Sequence, residues 1–541
     1  MSDKTKKTPL LYDIAIVGGG INGCGIARDA AGRGLKTYLC DKGDLGGETS
    51  CYSSKLIHGG LRYLEFYEFS LVRKALKERD TLMSIAPHLV KEQRFVIPHN
   101  THLRPRWLIR LGLFLYDNLH WSKYLQGSHA LSLHDSPLKD TFKHGFTYSD
   151  CVTDDHRLVI ANALDAQNNG ASINPYTICT RANVIKGYWQ LLVKDSHGKG
   201  SYIYAKTLVN ATGPWVEDFI MKELKFTPNK SLRLVKGSHI VTKKLYNGNQ
   251  AYTFQDKQGR VVFTVPYQDG YTLIGTTEEE FDGNPSDAEI NTQERAYLTS
   301  VMNEYFETPL KDEDIIWHFS GVRPLIKEGD ATARQASRDY SIELNQSQNL
   351  PFVNVWGGKL TTYRVLAEDV LTMLAPYIGQ DKAWSGDTAL NTAGTITNIT
   401  HSLMSKYTWL DATIVSRYAQ IYGLNSAYIL KDCTQMTDLG KHYGAGLYNK
   451  EIEYLIDIEW ATTAEAILWR RTKCGLKMSK KQREHFADTF PDMLKERQSA
   501  QNIAKFEQQA LDAIEKKVAA SKAVAETELE LGETGQEKTP A

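Results

Sequence analysis

The chain has 541 residues, too many for one hydrophobic core, so two or three domains are expected. Its 64 Lys and Arg balance 64 Asp and Glu, which leaves no global basic field for nucleic acid. No apolar run approaches the roughly 20 residues that cross a bilayer, and the seven scattered cysteines lack any C-x-x-C pair, which argues against a disulfide scaffold or a metal site and for a reducing cytoplasm.

Residues 1–11 form a polar lead without an apolar signal core. The β-branched run Ile14 to Val17 then enters Gly18, Gly19, Gly20 and Gly23, a G-x-G-x-x-G between a strand and an Ala-rich helix that contains Asn22. Glycines here let a pyrophosphate approach the N–H groups at a helix start. Asp41 closes the next strand, where a βαβ unit places the carboxylate that holds a ribose diol.

The stretch from Gly43 to Glu65 is rich in glycine and hydroxyl side chains and cannot supply a core. It offers ligand donors instead: Thr49, Ser50, Ser54, Lys55 and Leu56 toward the cofactor, and His58, Arg62 and Tyr63 as chemistry. A helix over Tyr67 to Ala86 follows, stopped by Pro87. Leu103 to Leu125 crowds Trp107, Leu108, Leu111, Phe114 and Trp121 among Arg104, Arg106 and Arg110. That mixture suits either a helix lying at a membrane surface or a buried one, and the sequence does not choose.

Strand and helix patterns alternate from Phe146 to Tyr204, and the strand Thr207 to Asn210 leads into Ala211-Thr212-Gly213, a return to the dinucleotide domain. Residues 231–345 read as hairpins, with an Asp269-Gly270 turn, and form a sheet-based substrate domain. Trp356 to Arg364 is a second glycine turn opening a helix, with Gly358, Lys359, Leu360 and Thr361 at its mouth. Its dipole suits a ring edge that gains negative charge, which favours a flavin over a nicotinamide. Beyond 387 the chain turns helical and charged to about 512, and 513–541 reads as a disordered tail.

The segments GGGINGCGIARDAAGRGL, SSKLIHGGLRYLE, NATGPWV, KGSHIV, GVRPL and GGKLTTYR, in this order, resemble the FAD-dependent glycerol-3-phosphate dehydrogenases of the aerobic, respiratory kind. The resemblance spans about residues 10 to 500; the Gly46-Gly47-Glu48 loop is more acidic than is usual there, and the tail is longer. It implies an α/β chain with a glutathione-reductase-type, Rossmann-like FAD domain, an inserted mixed-sheet substrate domain of the D-amino-acid-oxidase kind and an all-α C-terminal domain. The FAD domain takes 10–100, 206–230 and 346–387, mixed segments fill 101–205, the substrate domain takes 231–345, and the helical domain takes 388–512.

The implied reaction is oxidation of sn-glycerol 3-phosphate to dihydroxyacetone phosphate, with electrons passed to a membrane quinone. An oxidase that hands electrons to O₂ and forms peroxide is the alternative. The enzyme would sit peripherally on the cytoplasmic face of the plasma membrane, and a homodimer is left open. A phosphate dianion calls for arginines, and Arg62, Arg323 and Arg338, with Tyr63 and Lys359, fall in or beside the resembling segments. A neutral imidazole is the natural base near pH 7. His58 is preferred and His239 is the second candidate, while Arg323 also stabilises the alkoxide or the reduced flavin's charge.

Overall fold

The computed structural model describes residues 10–100, 103–327, 339–379 and 382–501. Strand Leu11–Val17 lies in the parallel part of an eight-stranded mixed sheet, with Thr37–Cys40 on one side and Gly200–Asn210 on the other. Ser172–Asn174 and Leu350–Trp356 extend the parallel ladder outward. Successive side chains of a strand point to opposite faces, and here they enter two different cores. Ile14 and Ile16 meet the helices Ile21–Gly32, Asp155–Asn168 and Tyr363–Ile378. Ala15 and Val17 meet side chains of the antiparallel pair Ile178–Ile185 and Tyr188–Lys194. Burial on both faces is why the strand is apolar without a break from Ile14 to Val17.

A second, ten-stranded mixed sheet carries Leu232–Lys243 between Ile315–Ile326 and Tyr271–Gly275. It continues through Val261–Tyr267, Ala251–Gln255, Val90–Pro98 and His144–Thr153 to the short Leu56–Ile57. The predicted Asp269-Gly270 turn joins two of these strands, and helix Thr292–Tyr305 covers one face. The domain boundaries therefore differ from the linear reading. Val90–Pro98 and His144–Thr153 belong to the substrate sheet, and 172–194 belongs to the dinucleotide sheet. Alternating polarity marks a strand but does not say which distant strand it will pair with.

Residues 388–501 are mainly helical around their own core, with Ile396–Lys406, Ala412–Tyr422 and Asn449–Asp457 among the helices. Buried ion pairs fasten this region to the dinucleotide domain: Arg157 forks onto Glu459 at 2.5 and 2.7 Å, and Arg471 reaches Asp44 at 2.7 and 2.8 Å. The predicted helix 67–86 is present as Phe69–Ile85. The 103–125 stretch holds helix Arg106–Leu119, which buries only Leu113 and Tyr116. Trp107 is 69% exposed and Phe114 53%, so most of the apolar face is bare. Among the described residues no helix is long and apolar enough to cross a membrane. The predicted disordered tail lies outside the described residues.

Candidate active site

The first glycine turn is built by close approach. A Cβ on Gly23 would stand 1.8 Å from the Gly18 carbonyl oxygen, and one on Gly18, at φ +110°, would stand 2.3 Å from that of Ala211. The cap residue of helix Ile21–Gly32 is Gly20, which has no side chain of its own to close the helix start. The Ile21 N–H donates to Ser50 Oγ at 3.0 Å. The Asp41 carboxylate accepts from the Gly19 and Gly43 N–H groups at 2.6 and 2.7 Å; burial pushes its pKa up, and those two bonds oppose the shift. Gly18, Gly20, Asp41, Thr49, Ser50, Ala211 and Gly213 line one trench. It runs into a second cavity through the shared Gly20, Thr49, Ser50, Ala211 and Gly213.

The second glycine turn forms the far end of that cavity, with φ +69° at Gly357 and +105° at Gly358. Asn22 Nδ2 donates to the Gly357 carbonyl at 3.2 Å, which pins the two turns together. Gly358, Lys359, Leu360 and Thr361 face the cavity with Asn22, Ser54 and Leu56. Lys359 Nζ is buried with no hydrogen-bond partner and stands 4.1 Å from the centre of the Tyr63 ring. An unpartnered buried ammonium beside open helix-start N–H groups fits an electron-rich edge, and the glycine cradle at the other end fits a pyrophosphate. The trench thus suits a flavin dinucleotide.

His58, Tyr63, Phe263, Thr276 and Arg323 line both this inner cavity and an outer one of about 390 Å³. The His58 N–H donates to Thr361 Oγ1 at 3.2 Å, and its ring meets Phe263 edge-on at 6.2 Å. Arg323 Nη2 donates to Thr276 Oγ1 at 2.9 Å. It passes so near strand Leu232–Lys243 that a Cβ on Gly237 would lie 2.6 Å from it. Arg62 lies on the outer cavity's wall, in the short turn Leu61–Phe66.

Two predicted groups sit elsewhere. His239 lies behind the wall, its Nε2 3.0 Å from Ser54 Oγ and its ring stacked on Phe319 at 4.9 Å. Burial, then the charges of Arg323 and Lys55, hold its pKa well below the usual imidazole range. Lys55 turns its ammonium to Asp155 at 2.7 Å and to the Cys51 carbonyl at 3.0 Å, away from the trench. Arg338 lies outside the described residues. Phe263 and Thr276 join the site without having been foreseen. Isolated glycines in strands, Gly237 beside Arg323 and Gly275 beside His239, were the available signal of close approach.

The FAD dependent oxidoreductase family matches residues 13–364. A glycerol-3-phosphate dehydrogenase of Pseudomonas aeruginosa is 47% identical over 88% of this chain and 95% of its own length. A D-erythritol 1-phosphate dehydrogenase of Brucella abortus is 42% identical over 89% of this chain and 98% of its own. Among solved structures, the glycerol-3-phosphate dehydrogenase of Bacillus halodurans complexed with FAD shares the fold, with a TM-score of 0.70 at 24% identity over 90% of this chain and 95% of its own.

Proposed function

The chain belongs to the FAD-dependent oxidoreductases, in their glycerol-3-phosphate dehydrogenase branch, and on that premise we propose that it oxidises sn-glycerol 3-phosphate to dihydroxyacetone phosphate. The observation that carries this reading is the meeting of the inner trench with the outer cavity at His58, Tyr63, Phe263, Thr276 and Arg323. FAD, when bound, supplies the acceptor for the two electrons and the hydrogen leaving C2.

The side chains supply the rest. His58 takes the hydroxyl proton at its imidazole. Arg323, held by Thr276, stabilises the negative charge growing on that oxygen. Arg62 and Lys359, with Tyr63, hold the phosphate, and Arg338 is a further candidate for it. Gly18, Gly20, Asn22, Gly23, Asp41, Thr49, Ser50, Leu56, Ala211, Gly213, Gly358, Leu360 and Thr361 hold the cofactor, and Lys359, between flavin and phosphate, serves both. Ser54 does so from a hydroxyl braced by neutral His239, which gives that histidine a supporting role.

The acceptor we infer is a membrane quinone. The outer cavity is walled by Leu108, Leu111 and Leu115 of helix Arg106–Leu119 and by Phe69, and it opens beside that helix's bare apolar face. Arginines and exposed aromatics around an apolar face suit peripheral docking on an anionic lipid surface, here the cytoplasmic face of the plasma membrane. Reduction of a soluble quinone analogue without matching peroxide supports this, and stoichiometric peroxide would favour the oxidase.

The Brucella abortus relative favours a second reading, D-erythritol 1-phosphate as substrate, because that molecule also carries a secondary alcohol beside its phosphorylated carbon. Comparing kcat/KM for the two polyol phosphates decides between them: glycerol 3-phosphate is expected to win, and a higher value for the erythritol ester would reassign the substrate.

A further inference from the structure

His58 is anchored from two sides. Thr361 Oγ1 accepts from its N–H at 3.2 Å and lies 3.4 Å from its carbonyl oxygen, so one anchor belongs to the second glycine turn. The other is the next peptide: the Gly59 N–H donates to Tyr116 Oη at 2.9 Å, with Asp150 Oδ1 a longer second acceptor at 3.4 Å. Tyr116 Oη in turn donates to the Asp150 carboxylate, 2.9 and 2.8 Å from its two oxygens, and Arg79 Nη1 donates to the same carboxylate at 2.8 Å. All three side chains are buried, with Tyr116 and Asp150 each 2% exposed.

The contact is tight enough to dictate the sequence. A Cβ on Gly59 would stand 2.6 Å from Tyr116 Oη and 2.5 Å from Leu76 Cδ2. Tyr116 is carried by Arg106–Leu119, the helix that has only Leu113 as its other buried residue. How this otherwise bare helix seats on the body of the protein therefore fixes the hydroxyl that holds the reactive loop.

We propose that Tyr116, held by Asp150 and Arg79, is a positioning residue for the oxidation: it fixes the His58–Gly59 peptide and thereby the place of the His58 imidazole. The inference rests on the reading of His58 as the base. Tyr116 lines neither the inner nor the outer cavity. Its removal should cost reaction rate and leave the phosphate contacts alone, since small displacements of a reacting group are expensive.

The test is anaerobic flavin reduction by sn-glycerol 3-phosphate in the FAD-loaded full chain. Tyr116→Phe is expected to lower the limiting rate about tenfold or more, with the substrate dissociation constant within about twofold of wild type. Leu82→Ala, a fully buried core truncation in helix Phe69–Ile85, is the control: it lowers the melting temperature without that loss of rate. In a His58→Gln background Tyr116→Phe should add little, because the two residues act as a unit. Asp150→Asn should shift the rate the same way, and it carries the test if Tyr116→Phe fails to fold. A limiting rate within about twofold of wild type, or losses that multiply fully in the double variant, would overturn the proposal. If wild type is not reduced at all, the functional reading falls and takes this inference with it.

Discussion

Lys359 lines the inner cavity with its ammonium over the face of the Tyr63 ring, a cation–π contact that keeps the charge at the site. Lys359→Met should raise the substrate concentration for half-maximal flavin reduction by about tenfold or more. An unchanged substrate requirement would contradict this. His58→Gln should keep FAD bound but slow flavin reduction by about 10²-fold or more, read by single-turnover mixing. The position of both residues on the inner cavity's wall was legible because they stand in glycine-rich turns. His239 and Lys55 were not separable from them by sequence. Which way a side chain in a strand or turn faces is decided by partners such as Ser54 and Asp155, 185 and 100 residues away.

The helix Arg106–Leu119 shows what one element's pattern can and cannot tell. Its amphipathic sequence predicts a helix with an apolar face, but the face reads the same whether protein or lipid covers it. In the folded chain Trp107, Leu111, Phe114 and Leu115 remain exposed, which leaves the face open for the lipid contact proposed above. The double substitution Trp107→Glu, Phe114→Glu should abolish co-sedimentation with anionic vesicles and leave the melting temperature and the rate of flavin reduction by substrate near wild type. Retained vesicle binding would remove this helix from the membrane contact. The turn at Gly357–Thr361 was legible at the same scale, because two successive glycines between a strand and a helix leave few other conformations, and both adopt positive φ.

At the scale of the whole molecule, buried charge joins the helical region to the dinucleotide domain. Glu459 is fully buried between Arg157 and Arg471, so Glu459→Gln strands Arg157 and should cost about 3–5 kcal/mol in chemical denaturation. The same junction holds His88, 1% exposed, against which a Cβ on Gly423 would press at 2.8 Å. Burial, then Arg157 and Lys91, lower its pKa to about 3. The unfolded chain takes up that proton near pH 6.5 while the folded chain resists it, so this contribution to stability is complete above about 6.5 and is lost as pH falls toward 3, by about 1.4 kcal/mol per pH unit. His88→Asn should flatten the stability profile across that window by up to that slope, measured by urea unfolding from pH 4 to 7; an unchanged slope would show that His88 is protonated in the folded protein. None of this junction was readable from sequence, because Asp44, Arg157, Glu459 and Arg471 lie in three separate stretches of the chain. Nor were the sheet memberships of Val90–Pro98 and His144–Thr153, whose partners are set only when the second sheet assembles.

For the proposed reaction to run, FAD and a secondary alcohol phosphate must meet in one trench. Anaerobic mixing of the purified protein with sn-glycerol 3-phosphate, followed through the flavin absorbance, decides whether they do. The expected result is a yellow protein whose absorbance bleaches in one fast, saturable phase that His58→Gln slows. A protein that carries FAD but does not bleach with this substrate would contradict it.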